Sequence, residues 1–271
     1  MTDPVSHIPR YAGLEAVALQ FTGDSRLELP ALEDAAPFDQ ATIEISFLLT
    51  RIVPRVVLLA PAGGEADGQP RIELVTRDDG SGAVLFGVDG FAQAELPLAG
   101  GGRFEPGIWY QLAVYYDRGG DDTKAFARAI VNNVMTEKQE WKKGAPPLVF
   151  PALRIGDFEG AVNDLRVWRG VLGPEVVLAA GRTVFRRPAT FGAATLAATW
   201  PLVEGFGDTV FDYAGDRHAR LTGGRDRPAW VVSSDDVTPI YIIDVLENEN
   251  QAESLVSLQH PEGEQATRLT I

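Results

Sequence analysis

The sequence contains no cysteine, three histidines and no long apolar run. Without cysteine the chain has no disulfide, no thiolate metal site and no thiol nucleophile. The histidines are His7, His218 and His260, which are too widely separated to form a local zinc or catalytic motif. No stretch approaches the ~18 apolar residues of a membrane helix, and the first residues lack the pattern of a signal peptide. We therefore expect synthesis in the cytoplasm and no membrane insertion.

The net charge is −14, from 38 acidic and 24 basic residues. Nucleic-acid binding is dominated by clustered lysine and arginine, so we expect no nucleic-acid partner. The acidic excess is compatible with calcium, because calcium takes oxygen ligands. It is also compatible with an acidic surface that only keeps the protein soluble, which is a common reason for acidic surfaces. Composition leaves both alternatives open.

The segment Leu153–Glu175 has the pattern of two short strands followed by a helical turn. Leu153 and Ile155 share one face of the first strand, and glycine and aspartate break the run over residues 156–160. The second strand alternates between one face with Val162, Asp164, Arg166 and Trp168 and another with Ala161, Asn163, Leu165 and Val167. We expect the more polar face to lie at a sheet edge or beneath a covering loop. Pro174 suits the first position of a short helix.

Short alternating runs separated by turn residues continue through most of the chain. Asp89-Gly90, between two apolar alternations, is a strong hairpin signal. Turn signals recur every ~8–12 residues, which is typical of a β-sandwich, and no solenoid or propeller period is present. We predict an all-β, antiparallel two-sheet sandwich. Residues 153–175 form its closing hairpin, followed by a short helix.

The pattern divides the chain into three parts. Residues 1–13 contain two prolines and a glycine and are predicted to form an N-terminal arm. Residues 14–232 form the sandwich, and residues 233–271 form a C-terminal β extension with strands over 238–246 and 266–271. The extension exceeds what a sandwich needs, and exposed strands are natural docking sites. We therefore predict self-association or docking through residues 233–271.

Three motifs occur in a fixed order within residues 14–232. They are the closing segment with Ile155, Gly156, Phe158, Gly160, Val162, Asp164–Trp168, Leu172 and Glu175, the strand Gly107–Asp117, and the loop Trp200–Asp212. Together they resemble the motifs of the laminin-G-like, concanavalin-A-like jelly-roll family. Asn163 stands where that family usually has aspartate, and Gln111 where it usually has histidine. The resemblance implies a lectin-like jelly-roll sandwich.

The same fold hosts glycoside hydrolases, which need two carboxylates beside the scissile bond. One large group of them takes these from a single strand with the pattern E-x-D-x-x-E. Glu65 and Asp67 come nearest to this pattern, but Pro70 stands at its last position. We therefore predict that the protein is not an enzyme.

Residues 212–221 resemble a loop of the family that often holds a cation or has a structural role. Asp212 and Asp216 are spaced to place two carboxylates on one turn, and the resemblance brings the closing strand with Asp164 near them. We predict Asp164, Asp212 and Asp216 as calcium ligands. Two arginines and a histidine in the loop oppose this prediction electrostatically. The alternative is that Asp212 caps the turn while Asp216 pairs with one of the arginines.

Aromatic side chains beside flexible turns are candidates for stacking on sugar rings. Tyr213 and Phe206 lie beside glycines, and Trp141 lies in the charged segment 137–143. We predict these three as ligand-binding residues. For Trp141 the alternative is packing against a hairpin.

These features favour a non-catalytic, lectin-like recognition module that binds carbohydrate or a protein surface with the help of calcium. The alternative is a structural subunit or fibre component of a bacterial phage-tail-like assembly. In that case residues 233–271 mediate assembly, and the particle is made in the cytoplasm and released to the exterior.

Overall fold

The structure of the chain is a computed structural model in which ten stretches are described. They are residues 17–32, 36–63, 67–120, 123–180, 183–185, 190–223, 227–232, 241–246, 255–259 and 268–270. The predicted arm over residues 1–13 lies outside them. Among the described residues no helix is long and apolar enough to cross a membrane.

The described residues form 22 strands and one short α-helix. The strands before the closing segment are β1 (Val17–Phe21), β2 (Arg26–Leu29), β3 (Gln40–Leu49), β4 (Arg55–Pro61), β5 (Pro70–Thr76), β6 (Gly82–Val88), β7 (Ala92–Pro97), β8 (Trp109–Asp117), β9 (Phe126–Val131), β10 (Val134–Met135) and β11 (Gln139–Glu140). The closing segment contains β12 (Leu153–Gly156), β13 (Gly160–Arg169) and the helix α1 (Pro174–Ala180). The remaining strands are β14 (Thr183–Phe185), β15 (Thr190–Phe191), β16 (Ala194–Trp200), β17 (Thr209–Val210), β18 (Ala219–Thr222), β19 (Ala229–Val232), β20 (Tyr241–Leu246), β21 (Leu255–Gln259) and β22 (Arg268–Thr270).

Two antiparallel sheets form the sandwich. The first has ten strands, with the order β10-β9-β8-β3-β13-β1-β19 and with β11, β15 and β16 paired beside this path. The second has eight strands, in the order β17-β18-β2-β12-β4-β5-β6-β7. The predicted all-β, two-sheet jelly-roll sandwich with a short helix after the closing segment is confirmed.

The main core lies between the two sheets. Alternate residues of each strand point into it, as the period of two requires. In this core Phe47 stacks on Tyr110, with ring centroids 5.5 Å apart. Phe86 and Trp141 stack at 6.1 Å with an interplanar angle of 10°. Each fully buried large apolar side chain contributes about 1.5–3 kcal/mol relative to exposure, so this layer holds the sheets together.

The closing segment is not a hairpin, and that prediction was wrong. Strand β12 pairs with β2 and β4 in the second sheet, whereas β13 pairs with β3, β1 and β16 in the first. The turn over residues 156–160 therefore crosses from one sheet to the other. A side chain at Gly160 would place its Cβ 2.1 Å from the carbonyl oxygen of Leu48, so the close approach of the strands needs glycine there.

Strand β13 is an interior strand, so of the two positions expected for its polar face, at a sheet edge or beneath a covering segment, the structure shows the second. It pairs with β3 along its length, while β1 and then β16 occupy its other side. A register shift between Val162 and Asp164 turns the following side chains. Trp168 therefore packs in a second apolar cluster, outside the main core, with Leu172 and with Val177 of α1. This face of β13 is covered by α1 and by the segment that precedes α1.

The C-terminal extension contains three described strands. β20, β21 and β22 pair in antiparallel order, and β20 also pairs in parallel with β14. The four strands form a separate sheet. The strands expected over 238–246 and 266–271 correspond to β20 and β22. The sequence pattern missed β21, because its five residues lie between polar stretches.

Candidate functional site

A cleft opens at one end of the first sheet. The antiparallel register places the start of β3 opposite the end of β8, with Gln40 beside Asp117. It likewise places Asp117 beside Phe126 at the start of β9, and Arg169 at the end of β13 beside the start of β3. The cleft has a volume of about 770 Å³. We call it the polar cleft. Its lining residues include Asp39, Gln40, Asp117, Thr123, Lys124, Phe126, Lys138, Arg169 and Gly170.

Asp117 is fixed in the polar cleft by two hydrogen bonds. The side-chain amide of Gln40 donates to its Oδ2 at 2.7 Å, and the backbone N–H of Gly119 donates to its Oδ1 at 2.7 Å. Neighbouring Asp39 is held by Arg118 at 2.9 Å. Carboxylates held in this way are pre-positioned acceptors, since little side-chain freedom remains to be lost on binding.

One wall of the polar cleft carries two lysines. The ammonium groups of Lys124 and Lys138 lie 3.2 Å and 3.3 Å from the carboxylate of Glu140. The hydrogen bond from Lys124, followed by that from Lys138, lowers the pKa of Glu140. Lys138 also lies 4.4 Å from the centroid of the Phe126 ring, within the range of a cation–π contact. This wall therefore combines cationic donors with an aromatic surface.

Arg169 lines the opposite part of the polar cleft. Its guanidinium donates to the backbone carbonyls of Ala36 at 2.6 Å and Pro37 at 3.2 Å. Its central carbon lies 3.8 Å from the centroid of the Phe38 ring. Two hydrogen bonds and a stacked ring hold the planar group in one orientation.

The polar cleft has the features of a small-molecule binding site. Such sites have volumes of ~300–1,000 Å³ and combine an apolar surface with a few oriented polar groups. Here the apolar surface is Phe126, and the oriented groups are Gln40, Asp117 and Arg169. Hydroxyl-rich ligands suit this set, because carboxylates accept from hydroxyls while amide and cationic groups donate to them.

A smaller groove of about 370 Å³ lies on the outer side of the second sheet. Gly87 on β6 lies opposite Arg71 on β5, and the groove is open at Gly87 because glycine has no side chain to fill it. Its buried carboxylate, Glu73, is already paired with Arg55, and Arg71 lies 3.9 Å from it. The arginines of this groove are already paired with its carboxylates, and its volume is about half that of the polar cleft, so the polar cleft is the better candidate.

The predicted calcium ligand Asp212 has a structural role. Its side chain is buried, and its Oδ1 accepts hydrogen bonds from the backbone N–H groups of Thr199 at 3.0 Å and Ala214 at 2.9 Å. Burial raises its pKa, and these hydrogen bonds oppose the rise. The bond to Ala214 closes the local turn, as the alternative interpretation expects. Asp216, four residues on, is exposed.

Asp164 lies in a different environment, paired with Arg166 at 2.5 Å on the outer face of β13. Within the described residues no three carboxylate or imidazole side chains gather as a metal-binding group. The structure therefore does not bring Asp164 together with Asp212 and Asp216.

The three predicted aromatic ligand-binding residues have different exposures. Trp141 is 7% exposed and packs among Phe86, Phe91 and Tyr116. Tyr213 is 6% exposed, while Phe206 is 60% exposed. None of the three lines the polar cleft. For Trp141 the structure agrees with the alternative of packing.

Sequence reasoning missed the residues that form the polar cleft. Gln40, Asp117, Phe126 and Arg169 belong to β3, β8, β9 and β13, and none forms a motif with another along the chain. A usable signal was present, since each lies at a strand terminus. Using it requires the order of the strands, which alternation does not supply.

Comparison with protein-family models and with curated protein sequences finds no match. Comparison with solved structures finds a heptameric pentraxin from Limulus polyphemus, with a TM-score of 0.52 and 16% sequence identity over 63% of this chain and 83% of that one. A candidate carbohydrate-binding protein from Bacteroides ovatus has a TM-score of 0.61 and 14% identity over 82% of this chain. The match covers 61% of the length of that protein.

These likenesses define the class of fold. The chain has the laminin-G-like, concanavalin-A-like jelly-roll fold of lectins. At identities of 14–16% they show the fold alone, because one fold supports many functions.

Proposed function

We propose that the protein is a non-catalytic carbohydrate-recognition module and that its ligand occupies the polar cleft. The observation that carries the proposal is the geometry of the cleft, in which Gln40, Asp117 and Phe126 line an open volume of about 770 Å³ at the end of the first sheet. The shared fold with a candidate carbohydrate-binding protein supports the same class of ligand.

The fixed carboxylate is central to this role. Asp117 already accepts one bond at each oxygen, and each carboxylate oxygen has a further lone pair for a sugar hydroxyl. The Phe126 ring offers a flat surface for the C–H groups of a sugar ring. The polar cleft would thus hold a ligand by hydrogen bonds and stacking.

A glycan array with the full chain tests the proposal, followed by calorimetric titration of the bound glycans. The substitutions Asp117→Ala and Gln40→Ala are expected to weaken binding by about tenfold or more, which corresponds to about 1.4 kcal/mol. Arg51→Gln is the matched control, since Arg51 is exposed and lies beyond the opposite end of β3. Binding that survives both cleft variants would move the site elsewhere, and a chain that binds no glycan would refute the function.

Calcium assistance stays a prediction. Asp216 is exposed, so Asp216→Asn removes a carboxylate from the loop without disturbing packing. If the loop binds calcium, millimolar calcium raises the thermal unfolding temperature of the wild type and not that of the variant. An unchanged unfolding temperature of the wild type in calcium and in chelator would contradict the prediction.

A structural role in a multi-subunit assembly is the second candidate, and the C-terminal sheet favours it. Among the described residues β22 pairs with β21 on one side and has no strand on the other. Unpaired edges can add a strand from a neighbouring chain. Light scattering on the full chain and on a chain ending at Val232 tests this. Assembly of the full chain alone is expected, and two monomers would contradict it.

A further inference from the structure

Arg169 carries a positive charge that its own partners do not neutralise. Both hydrogen bonds go to backbone carbonyls, and its face rests on the ring of Phe38. No described carboxylate lies within ion-pair distance of it, although it lines the polar cleft. A guanidinium has five N–H donors, so donors remain after the two carbonyls are satisfied.

The two lysines of the polar cleft are also incompletely neutralised. Glu140 is the one carboxylate that both ammonium groups contact among the described residues. The side chains of Lys124 and Lys138 are 61% and 44% exposed, so both reach solvent beside the cleft. Lys138 is held above the ring of Phe126.

The acidic groups of the polar cleft already have partners. Asp39 pairs with Arg118, and Asp117 accepts from Gln40 and from a backbone N–H. Among the described residues that line the polar cleft, Arg169 is thus the one cation without a carboxylate partner.

We propose that the polar cleft selects acidic glycans, with Arg169 binding a carboxylate carried by the sugar. The proposal rests on the carbohydrate-binding function proposed above and specifies its ligand class. A planar guanidinium matches a carboxylate with two parallel hydrogen bonds, which makes this pairing directional as well as charged. Because Arg169 is held by its carbonyls and by Phe38, its orientation needs little rearrangement on binding.

Matched pairs of probes isolate the carboxylate. The first pair is an oligogalacturonate and its methyl ester, which differ in charge and share the same sugar rings. The second pair is sialyllactose and its methyl ester, which again share the same sugar rings. Titration calorimetry of the full chain at low salt is expected to show about tenfold tighter binding of an acidic member than of its neutral match. Added salt should narrow this difference, because it screens exposed charges.

Substitutions test whether Arg169 is responsible for the preference for acidic probes. Arg169→Gln is expected to remove the preference for the acidic probe, and Arg169→Lys to reduce it by about threefold, because lysine keeps the charge but lacks the planar fork. Arg51→Gln, beyond the other end of β3, should keep it. Since Arg169 packs on Phe38, thermal unfolding verifies that each variant is folded. Lys138→Gln changes a second, exposed residue of the cleft, and the preference for the acidic probe should weaken in this variant as well.

The outcomes separate this inference from the proposed function. Equal binding of the acidic and neutral members of both pairs, with glycan binding in the polar cleft retained, overturns the acidic preference alone. A preference for the acidic probe that survives Arg169→Gln in the folded variant overturns the assignment of the carboxylate to Arg169. If the full chain binds neither the probes nor any glycan on the array, the proposed function itself fails.

Discussion

Arg166 and Asp164 form a buried ion pair on the outer face of β13, with Nη2 and Oδ2 2.5 Å apart. Their side chains are 2% and 15% exposed. A second acid, Glu44, lies 4.0 Å from the same guanidinium. Two carboxylates therefore share one cation in a site with little water. Burying the second negative charge costs free energy, because this charge has no cation of its own.

The first prediction concerns the stability of the protein as a function of pH. Burial raises the pKa of Asp164 from 3.8 to about 7, against the attraction of Arg166, and Glu44 adds to the rise. The folded state therefore binds a proton that the unfolded state releases, so stability falls as the pH rises from 3.8 to about 7. Between pH ~5 and pH ~8, the wild type should lose roughly 2 kcal/mol more than Asp164→Asn.

Urea unfolding of both proteins at the two pH values measures this difference. Asp208→Asn is the control, because Asp208 forms an exposed pair with Arg227. The change in unfolding free energy of the Asp208→Asn variant between the two pH values should match that of the wild type. Parallel curves for wild type and Asp164→Asn would show that the buried carboxyl stays ionised throughout.

The second prediction compares two buried tryptophans. The indole N–H of Trp168 donates to the buried carboxylate of Glu44 at 2.5 Å, whereas that of Trp200 donates to the backbone carbonyl of Arg217 at 2.8 Å. Burial raises the pKa of Glu44. A hydrogen bond to an ionised group is worth more than one to a neutral group, so at a pH above this raised pKa Trp168→Phe should cost roughly 1.5–3 kcal/mol and Trp200→Phe about 1 kcal/mol from this source. Equal losses in chemical unfolding would contradict the role of Glu44.

The third prediction concerns the crossing between the sheets. Gly160→Ala places a Cβ 2.1 Å from the backbone oxygen of Leu48, which belongs to the adjacent strand and cannot rotate away. We expect a loss of about 3 kcal/mol in the free energy of unfolding. Gly63→Ala is the control, since nothing lies within 4 Å of its added Cβ. Comparable stability of the two variants would mean that β3 and β13 separate readily.

The fourth prediction distinguishes two aromatic candidates for the ligand site. Phe126 lines the polar cleft, whereas Phe206 is exposed elsewhere. Phe126→Ala should weaken glycan binding by about tenfold, or about 1.4 kcal/mol, through the lost ring surface. Phe206→Ala should leave it unchanged. The reverse result, measured by titration with the glycan found on the array, would place the ligand at the Gly205–Gly207 turn.

Local patterns in the sequence were enough to predict the sandwich. The alternation in β3, β8 and β13 and the Asp89-Gly90 turn depend on residues close together in the chain, and the predicted β6–β7 hairpin is present. The packing of individual side chains and the crossing of the chain between the two sheets were less predictable. The charged neighbours of Trp141 suggested exposure, but the indole packs on Phe86 from a distant strand. The turn before Gly160 resembled a hairpin, although its two strands join different sheets.

The sequence by itself determined that this protein is an all-β sandwich without thiol chemistry, because the side-chain period and the composition are properties of the chain alone. The tertiary structure decided where a ligand is held. Gln40, Asp117, Phe126 and Arg169 become neighbours through the pairing of β3 with β8 and β13 and of β8 with β9. Strand register depends on burial and long-range pairing, and no local pattern encodes it.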